Sequence, residues 1–126
     1  MSGGRKPQLP REEVSTISWR FGKMDAEMPW PTTIADLAPH LDRLKHFEGQ
    51  TPVECYGEKH NHLMRVGELC TKAQNRLKKL GIDVPLTQLW LKEKCRLWGI
   101  MEKSIFHVLW LDENHEVYPV KLKGHR

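Results

Sequence analysis

Four side chains that could form a site lie close together in the sequence, between Cys95 and Pro119. They are Arg96, His107, His115 and Tyr118. A guanidinium can stabilise negative charge that develops at phosphorus, and an imidazole can transfer a proton. Arg96 and His107 therefore predict phosphodiester chemistry, provided that they lie on one face of the sheet. For His107 the alternative is a core histidine that is hydrogen-bonded by a neighbour.

The distance between Arg96 and His107 depends on the turn that joins their strands. If residues 102–103 form a two-residue turn, Trp98 lies opposite His107 and Arg96 lies opposite Leu109. Arg96 and His107 are then diagonal neighbours on one face of the sheet, within reach of long side chains. A three-residue turn would shift the register by one and place them on opposite faces.

Asp112 and His115 have a spacing that could also serve a metal ion, and His60 and His62 could supply further ligands. Two ligands do not complete a metal site, however. Turn capping by Asp112 and Asn114 explains the same residues more simply. We predict no metal and no cofactor, and the sequence has neither a P-loop nor a glycine-rich dinucleotide turn.

Basic charge is concentrated on one predicted helix. The net charge is +4, and the stretch from Arg65 to Lys79 contains five basic residues and one acidic residue. Helical spacing places Lys72, Arg76 and Lys79 on one face, and Lys121 belongs to a basic tail. This face is predicted to be solvent-exposed and to bind a polyanion such as RNA. The alternative is an ordinary solvated helix face.

The elements that must position these residues begin with a strand over 15–21, because apolar and polar residues alternate there. A helix is then predicted from Thr33 to near Gly49. Proline inside a helix removes a backbone donor. The helix should therefore be kinked at Pro39, or begin only near Ala38.

Thr51 is predicted to cap a short helix, residues 57–63 to form a polar loop, and the basic helix to end at a Gly81 cap. An apolar run such as residues 105–111 is typical of a central strand. The last predicted strands are Leu86 to Leu91, Cys95 to Ile100 and Ser104 to Leu111, with a short fourth over Glu116 to Val120. The order predicts an α+β fold: an N-terminal strand, helices, then a C-terminal antiparallel β-meander, with helices on one face of the sheet.

The composition limits the class of protein. The 126 residues fit one domain, predicted over 15–126, while residues 1–14 read as a disordered arm or a cloning remnant. No apolar run could span a bilayer, and the three unpaired cysteines favour a reducing cytoplasm. The predicted core contains Trp19, Leu69, Leu77, Leu97, Val108 and Trp110.

The run from Leu86 to Tyr118, in which RLWGI precedes FHVLWLDENHEVYP, resembles the characteristic half of a small, largely uncharacterised bacterial family. The order of elements is also similar to that of the RelE/ParE toxin superfamily, whose ribosome-dependent members cleave messenger RNA. The shared pattern is an arginine on a central strand, here Arg96, and a terminal H-x-x-Y, here His115 and Tyr118.

The RelE/ParE resemblance implies roles for individual residues. Lys72 and Arg76 would bind phosphate, Arg96 would stabilise charge, and His115 or Tyr118 would assist proton transfer. It also implies RNA or the ribosome as a partner, and a small antitoxin protein. The alternative hypothesis is a non-catalytic interaction module that uses Trp30, Trp90 or Trp98 as an aromatic anchor for another protein.

Overall fold

The structure is a computed structural model, and it describes residues 15–119. A five-stranded sheet has the order β1-β5-β4-β3-β2, so the last two strands along the chain lie in its interior. The strands are β1 Ser18–Arg20, β2 His62–Met64, β3 Leu86–Lys92, β4 Cys95–Glu102 and β5 Ile105–Asp112. The predicted α+β class is confirmed. The predicted arm over 1–14 and Lys121 lie outside the described residues.

Helices cover both faces of the sheet, whereas the sequence predicted one covered face. The helices are α1 Ile34–Leu37, α2 Leu41–Glu48, α3 Pro52–Tyr56 and α4 Thr71–Leu80. The first three contribute to a core with Leu89, Leu97 and Phe106. Helix α4 packs on the other face against Trp98 and Trp110. Side chains alternate between the faces of a strand, so a sheet with two apolar faces needs both covered.

The predicted core is largely confirmed. Leu69, Leu77, Leu97, Val108 and Trp110 are buried. Trp19 is only partly buried, because β1 is an edge strand, and its ring packs edge-on against Phe106 at 5.2 Å between centroids.

The kink at Pro39 is confirmed. Residues Ala38–His40 form a 3₁₀ turn between α1 and α2, since the proline lacks the N–H that a continuous helix would use. Thr51 caps α3 as predicted, accepting a hydrogen bond from the Glu54 amide at 3.2 Å. Gly81 ends α4 in the left-handed conformation, with φ 74°.

Three strand predictions at the sheet edges are wrong. Residues 57–63 were predicted to be a loop, but His62–Met64 pairs with β3. The short fourth strand is absent over 116–119. The first strand pairs in parallel with β5, so that Ser18 faces Ile105, and the sheet is mixed rather than antiparallel.

The predicted register of β4 and β5 is also wrong. The turn is Lys103-Ser104, which places Ile100 opposite His107. A bulge then inserts Leu109, so that Trp98 faces Trp110 and Arg96 faces Asp112. Arg96 therefore lies four residues along β4 from the partner of His107, about 13 Å at 3.3 Å per residue. They are not diagonal neighbours.

Between residues 15 and 119, no helix is long and apolar enough to cross a membrane. All three cysteines are free, with Cys55 and Cys95 buried and Cys70 half-buried.

Candidate functional site

Arg96 is the centre of the candidate site. It lies on β4 between Trp90 of β3 and Asp112 of β5, and only 6% of its surface is exposed. Its Nη1 donates to the carbonyl of Glu93, while Nε is buried and has no partner among the described residues. Burial lowers the pKa of the guanidinium, although Asp112 opposes this shift. A buried guanidinium remains charged, so it projects a strong positive field into its surroundings.

His115 lies within the field of Arg96. It follows β5 in a left-handed conformation, with φ 58°, and its Nδ1 is buried without a partner in the described part of the chain. Burial lowers the pKa of the imidazole, and the positive charge of Arg96 acts in the same direction. His115 is therefore held mainly neutral at pH 7, as a general base must be.

Asp112 fixes the segment that carries His115. Its two carboxylate oxygens accept hydrogen bonds from the backbone amides of Glu116 and Val117, at 2.9 and 2.8 Å. The carboxylate thus caps the turn, as the simpler of the two sequence interpretations held. Residues 15–119 contain no group of three or more potential ligands placed to hold a metal ion.

His60 and His62 complete the group, although they come from a distant part of the sequence. Pairing of His62 with Gln88 brings the segment alongside β3. The His60 ring lies 6.1 Å from the Trp90 ring, centroid to centroid. Desolvation lowers the pKa of His60, and the charges of Arg96, Lys59, His62 and His115 lower it further. We call Arg96, His60, His62 and His115 the arginine–histidine cluster.

Several buried polar atoms beside the cluster have no hydrogen-bond partner among the described residues. Besides Arg96 Nε and His115 Nδ1, the buried atoms Gln88 Oε1 and Trp98 Nε1 have no partner within residues 15–119. Gln88 and Trp98 face each other across β3 and β4, and Arg96 is the next residue along the same face. Unsatisfied buried polar groups are rare in folded proteins and often mark functional sites.

The structure does not bring His107 into this group. Its Nε2 bonds the Glu102 carboxylate at 2.9 Å near the other end of β4. Tyr118 lies three residues beyond His115, with 37% of its surface exposed. Of the four side chains that the sequence singled out, Arg96 and His115 lie near each other. Tyr118 follows His115 by three residues, and His107 lies apart from all three.

The basic face of α4 differs from its prediction at Arg76. This residue was predicted to be exposed, but its side chain is only 16% exposed and forms a two-pronged pair with Asp25. Both bonds are 2.8 Å long. Lys72 and Lys79 are exposed, and they line a groove of about 300 Å³ beside Met28. Of the three residues in the predicted stripe, Lys72 and Lys79 therefore remain free to contact an external anion, while Arg76 is engaged by Asp25.

Asp25 joins α4 to the sheet and should make stability depend on acid. Burial acts to raise its pKa, but bonds from Arg76, the Trp110 indole and the Glu27 amide outweigh this, so the pKa is lowered. The Asp25 carboxyl therefore binds fewer protons in the folded state than in the unfolded state. The stabilisation that it contributes is present above about pH 4 and is lost as the pH falls through its lowered pKa in the folded state.

We expect Asp25→Asn to remove part of this acid sensitivity, since the amide does not titrate. Urea unfolding at a series of pH values below about 5 should show that the free energy of unfolding falls less steeply with decreasing pH in the variant than in the parent. Parallel profiles would show that Asp25 does not control acid unfolding.

The tryptophans proposed as protein anchors are poorly placed for that role. Trp30 is 6% exposed and Trp98 is fully buried. Trp90 is half-buried, its indole N–H donates to the carbonyl of Glu93, and the Arg43 guanidinium lies 5.0 Å from the ring centroid. An anchor must insert into a partner's pocket, which these contacts prevent.

A second cleft, of about 560 Å³, lies at the end of β3 and β4, with Cys95 and His40 among its lining residues. The Cys95 sulfur is 3.8 Å from Nε2 of His40. Burial, with the nearby carboxylates of Glu113 and Asp112, raises the pKa of the thiol to about 11. The thiol is therefore protonated at neutral pH and is a poor nucleophile.

No protein-family model, curated protein or solved structure matches the chain. The chemistry of the site is therefore argued from its own geometry.

Sequence reasoning noted His60 and His62 but did not include them in the site. The available signal was the H-x-H spacing, but it does not fix a common face here, because His60 lies in a turn with φ 123° and only His62 belongs to a strand. His62 could not be placed without recognising β2, which has only three residues.

Proposed function

We propose that this protein is a RelE-like cytoplasmic RNA-binding protein that cleaves RNA at the arginine–histidine cluster. The observation that carries the proposal is the placement of two histidines beside Arg96. The His60 ring lies 6.1 Å from the ring of Trp90, the β3 partner of Arg96, and His115 follows Asp112, its β5 partner. The lowered pKa of both imidazoles, caused by burial and by the positive charge of Arg96, agrees with this placement. Cleavage of an RNA chain by its own 2′-hydroxyl needs a base, an acid and stabilisation of negative charge at phosphorus. The cluster offers imidazoles for the first two and a guanidinium for the third.

The electrostatics favour an anionic substrate. Positive charge from Arg96 and the neighbouring basic groups lowers the pKa of His60, and a bound phosphate would oppose that field. Phosphate binding should therefore raise the pKa of an adjacent imidazole and favour its protonated form. One histidine can then act as the acid while another remains the base.

In this proposal the substrate is messenger RNA, free or on the ribosome, and a small antitoxin protein would restrain the activity. Tyr118 keeps its predicted role of assisting proton transfer. His107 is not assigned to the reaction, because it lies well along the sheet from Arg96.

The experiment is RNA cleavage by the purified full chain, with and without ribosomes, mapped by primer extension. The parent should cut RNA, while His60→Ala and His115→Ala should each reduce the rate by about 10²-fold or more, in the range for loss of a general acid or base. His107→Asn is the matched control and should retain activity. Absence of cleavage by the parent under both conditions would refute the nuclease, as would equal loss in all three variants.

The exposed lysines of α4 should contribute to RNA affinity through counterion release. We expect Lys72→Ala/Lys79→Ala to weaken RNA binding and reduce the slope of log K against log salt by about 1 to 2, since up to two phosphate contacts are lost. A fluorescence anisotropy titration at several salt concentrations measures this slope. Lys78→Ala, an exposed lysine on the same helix outside the groove, is the control. An unchanged slope in the double variant would place the RNA elsewhere.

A further inference from the structure

Asn61 lies between the two histidines of the H-x-H segment, and its side chain is buried rather than exposed. Only 2% of its surface is accessible. Its Nδ2 donates to the carbonyl of Cys55 at 2.8 Å, and its Oδ1 accepts from the Trp90 amide at 2.8 Å. One amide group thus connects the end of α3 to β3. Both bonds are buried or partly buried, so water cannot easily replace them.

The peptide group between His60 and Asn61 is also held firmly. The His60 carbonyl accepts a hydrogen bond from Nε2 of Gln88 at 2.9 Å, and the Asn61 amide donates to the Glu58 carbonyl at 3.2 Å. His60 has φ 123°, a conformation that residues with a side chain rarely adopt. Such a conformation persists only where the surrounding structure imposes it, and it occurs most often at functional sites.

Glu58 anchors the beginning of the same segment. Its carboxylate accepts hydrogen bonds from Arg43 at 2.8 Å and from Gln50 at 2.7 Å, and it pairs with His46. The segment is therefore fixed at its start by Glu58, at its middle by Asn61 and at its end by the pairing of β2 with β3. These restraints leave the His60 and His62 side chains exposed at a defined place.

We propose that Asn61 is a positioning residue, whose buried amide holds the imidazole of His60 beside Arg96 and fixes the segment that carries His62. Asparagine suits this role because its amide supplies both the donor for Cys55 and the acceptor for Trp90. The effect on RNA cleavage rests on the proposed function. The effect on the positions of the histidines does not.

The experiment is an NMR titration of the histidine side chains in the full chain, comparing the parent with Asn61→Ala. Loss of the amide should release the segment, so that the His60 pKa rises towards its ordinary value as the imidazole moves away from Arg96. The His62 side-chain signals should shift as well. If the parent cleaves RNA, the variant should lose about 10²-fold in kcat, the scale expected for a displaced catalytic group. Thermal unfolding reports whether the fold survives.

Gln88→Met is the second variant, chosen because it removes the bond to the His60 carbonyl while keeping a side chain of similar length. The replaced Gln88 Oε1 has no partner among the described residues, so an apolar substitute should leave the fold intact. It should change the His60 titration in the same direction as Asn61→Ala, and it decides the matter if Asn61→Ala does not fold. Asn75→Ala, on the exposed surface of α4, should change neither histidine.

The outcomes separate this proposal from the nuclease. Unchanged titration of His60 together with unchanged His62 side-chain signals in a folded Asn61→Ala protein, or in Gln88→Met if the first variant is unfolded, would overturn the positioning role. A parent that does not cut RNA, combined with the expected shifts, would refute the proposed function and leave the role of Asn61 intact.

Discussion

If the protein is the proposed nuclease, Arg96→Gln should reduce RNA cleavage by about 10² to 10³-fold, the range seen when a group that stabilises transition-state charge is removed. The same substitution should raise the pKa of His60 and of His115, because the guanidinium lowers both. Burial still acts on the two imidazoles, so the return to ordinary values should be incomplete. Cleavage rates and an NMR titration measure the two effects separately.

Arg65→Gln is the control for this substitution, because the Arg65 side chain is 82% exposed and makes only a surface ion pair with Glu68. It should leave both histidine titrations unchanged. A folded Arg96→Gln protein that cleaves RNA at the parent rate would show that the guanidinium has no part in the reaction. Unshifted histidines would show that the cluster does not form in solution.

Gly99→Ala should have the largest effect on stability of the substitutions considered. A β-carbon at this position would overlap the carbonyl oxygen of His107 and would lie 2.5 Å from Cε1 and 2.7 Å from Cζ of Phe106. The carbonyl belongs to the paired β5 strand, so it cannot move without disturbing the sheet. We expect a loss of about 3 kcal/mol in the free energy of unfolding, at the upper end of typical overpacking effects.

Urea unfolding measures the effect of Gly99→Ala, and Gly22→Ala provides a matched control. Gly22 is exposed, and a β-carbon there would have no neighbour within 4 Å. The control should remain within about 0.5 kcal/mol of the parent, as ordinary surface substitutions do. A similarly small change in Gly99→Ala would mean that β4 and β5 are farther apart than the structure shows.

The sequence predicted well those elements whose residues carry their own signals. Thr51 and Gly81 are local capping residues, and both end or begin helices as expected. The apolar run at residues 105–111 identified the strand that lies inside the sheet, because burial on both faces leaves no polar alternation. Pro39 located the kink through its missing backbone donor.

The errors occur where tertiary contacts decide the structure. β2 has only three residues, and it forms because its backbone pairs with residues 86–88 of β3. The turn between β4 and β5 lies one residue later than predicted, and the extra residue Leu109 in β5 could not be located by counting from it. Together these two differences place Arg96 opposite Asp112 rather than Leu109. Arg76 looked free on the helix because Asp25, its partner, is 51 residues away in the sequence.

Only part of the candidate site was predicted from the sequence, because tertiary contacts also bring its residues together. Arg96 and His115 were selected for their side-chain chemistry. They lie near each other because Arg96 pairs with Asp112, and Asp112 caps the turn that carries His115. His60 joins them only through a pairing between distant segments, which spacing in the sequence does not reveal. The order of strands in a sheet is a property of the whole fold, so residues at the edges of the sheet are the hardest to place.

The pairing of β1 with β5 also bears on how the chain is made. Ser18 lies beside Ile105, so β1 is synthesised well before β5 and must wait for it before it can pair. Meanwhile Ile17, which is 1% exposed in the folded protein, remains open to solvent and to chaperones. Contacts between such distant segments also slow folding. Closure of this edge is therefore a late step, and a nascent chain stalled before Ile105 would remain a target for proteolysis.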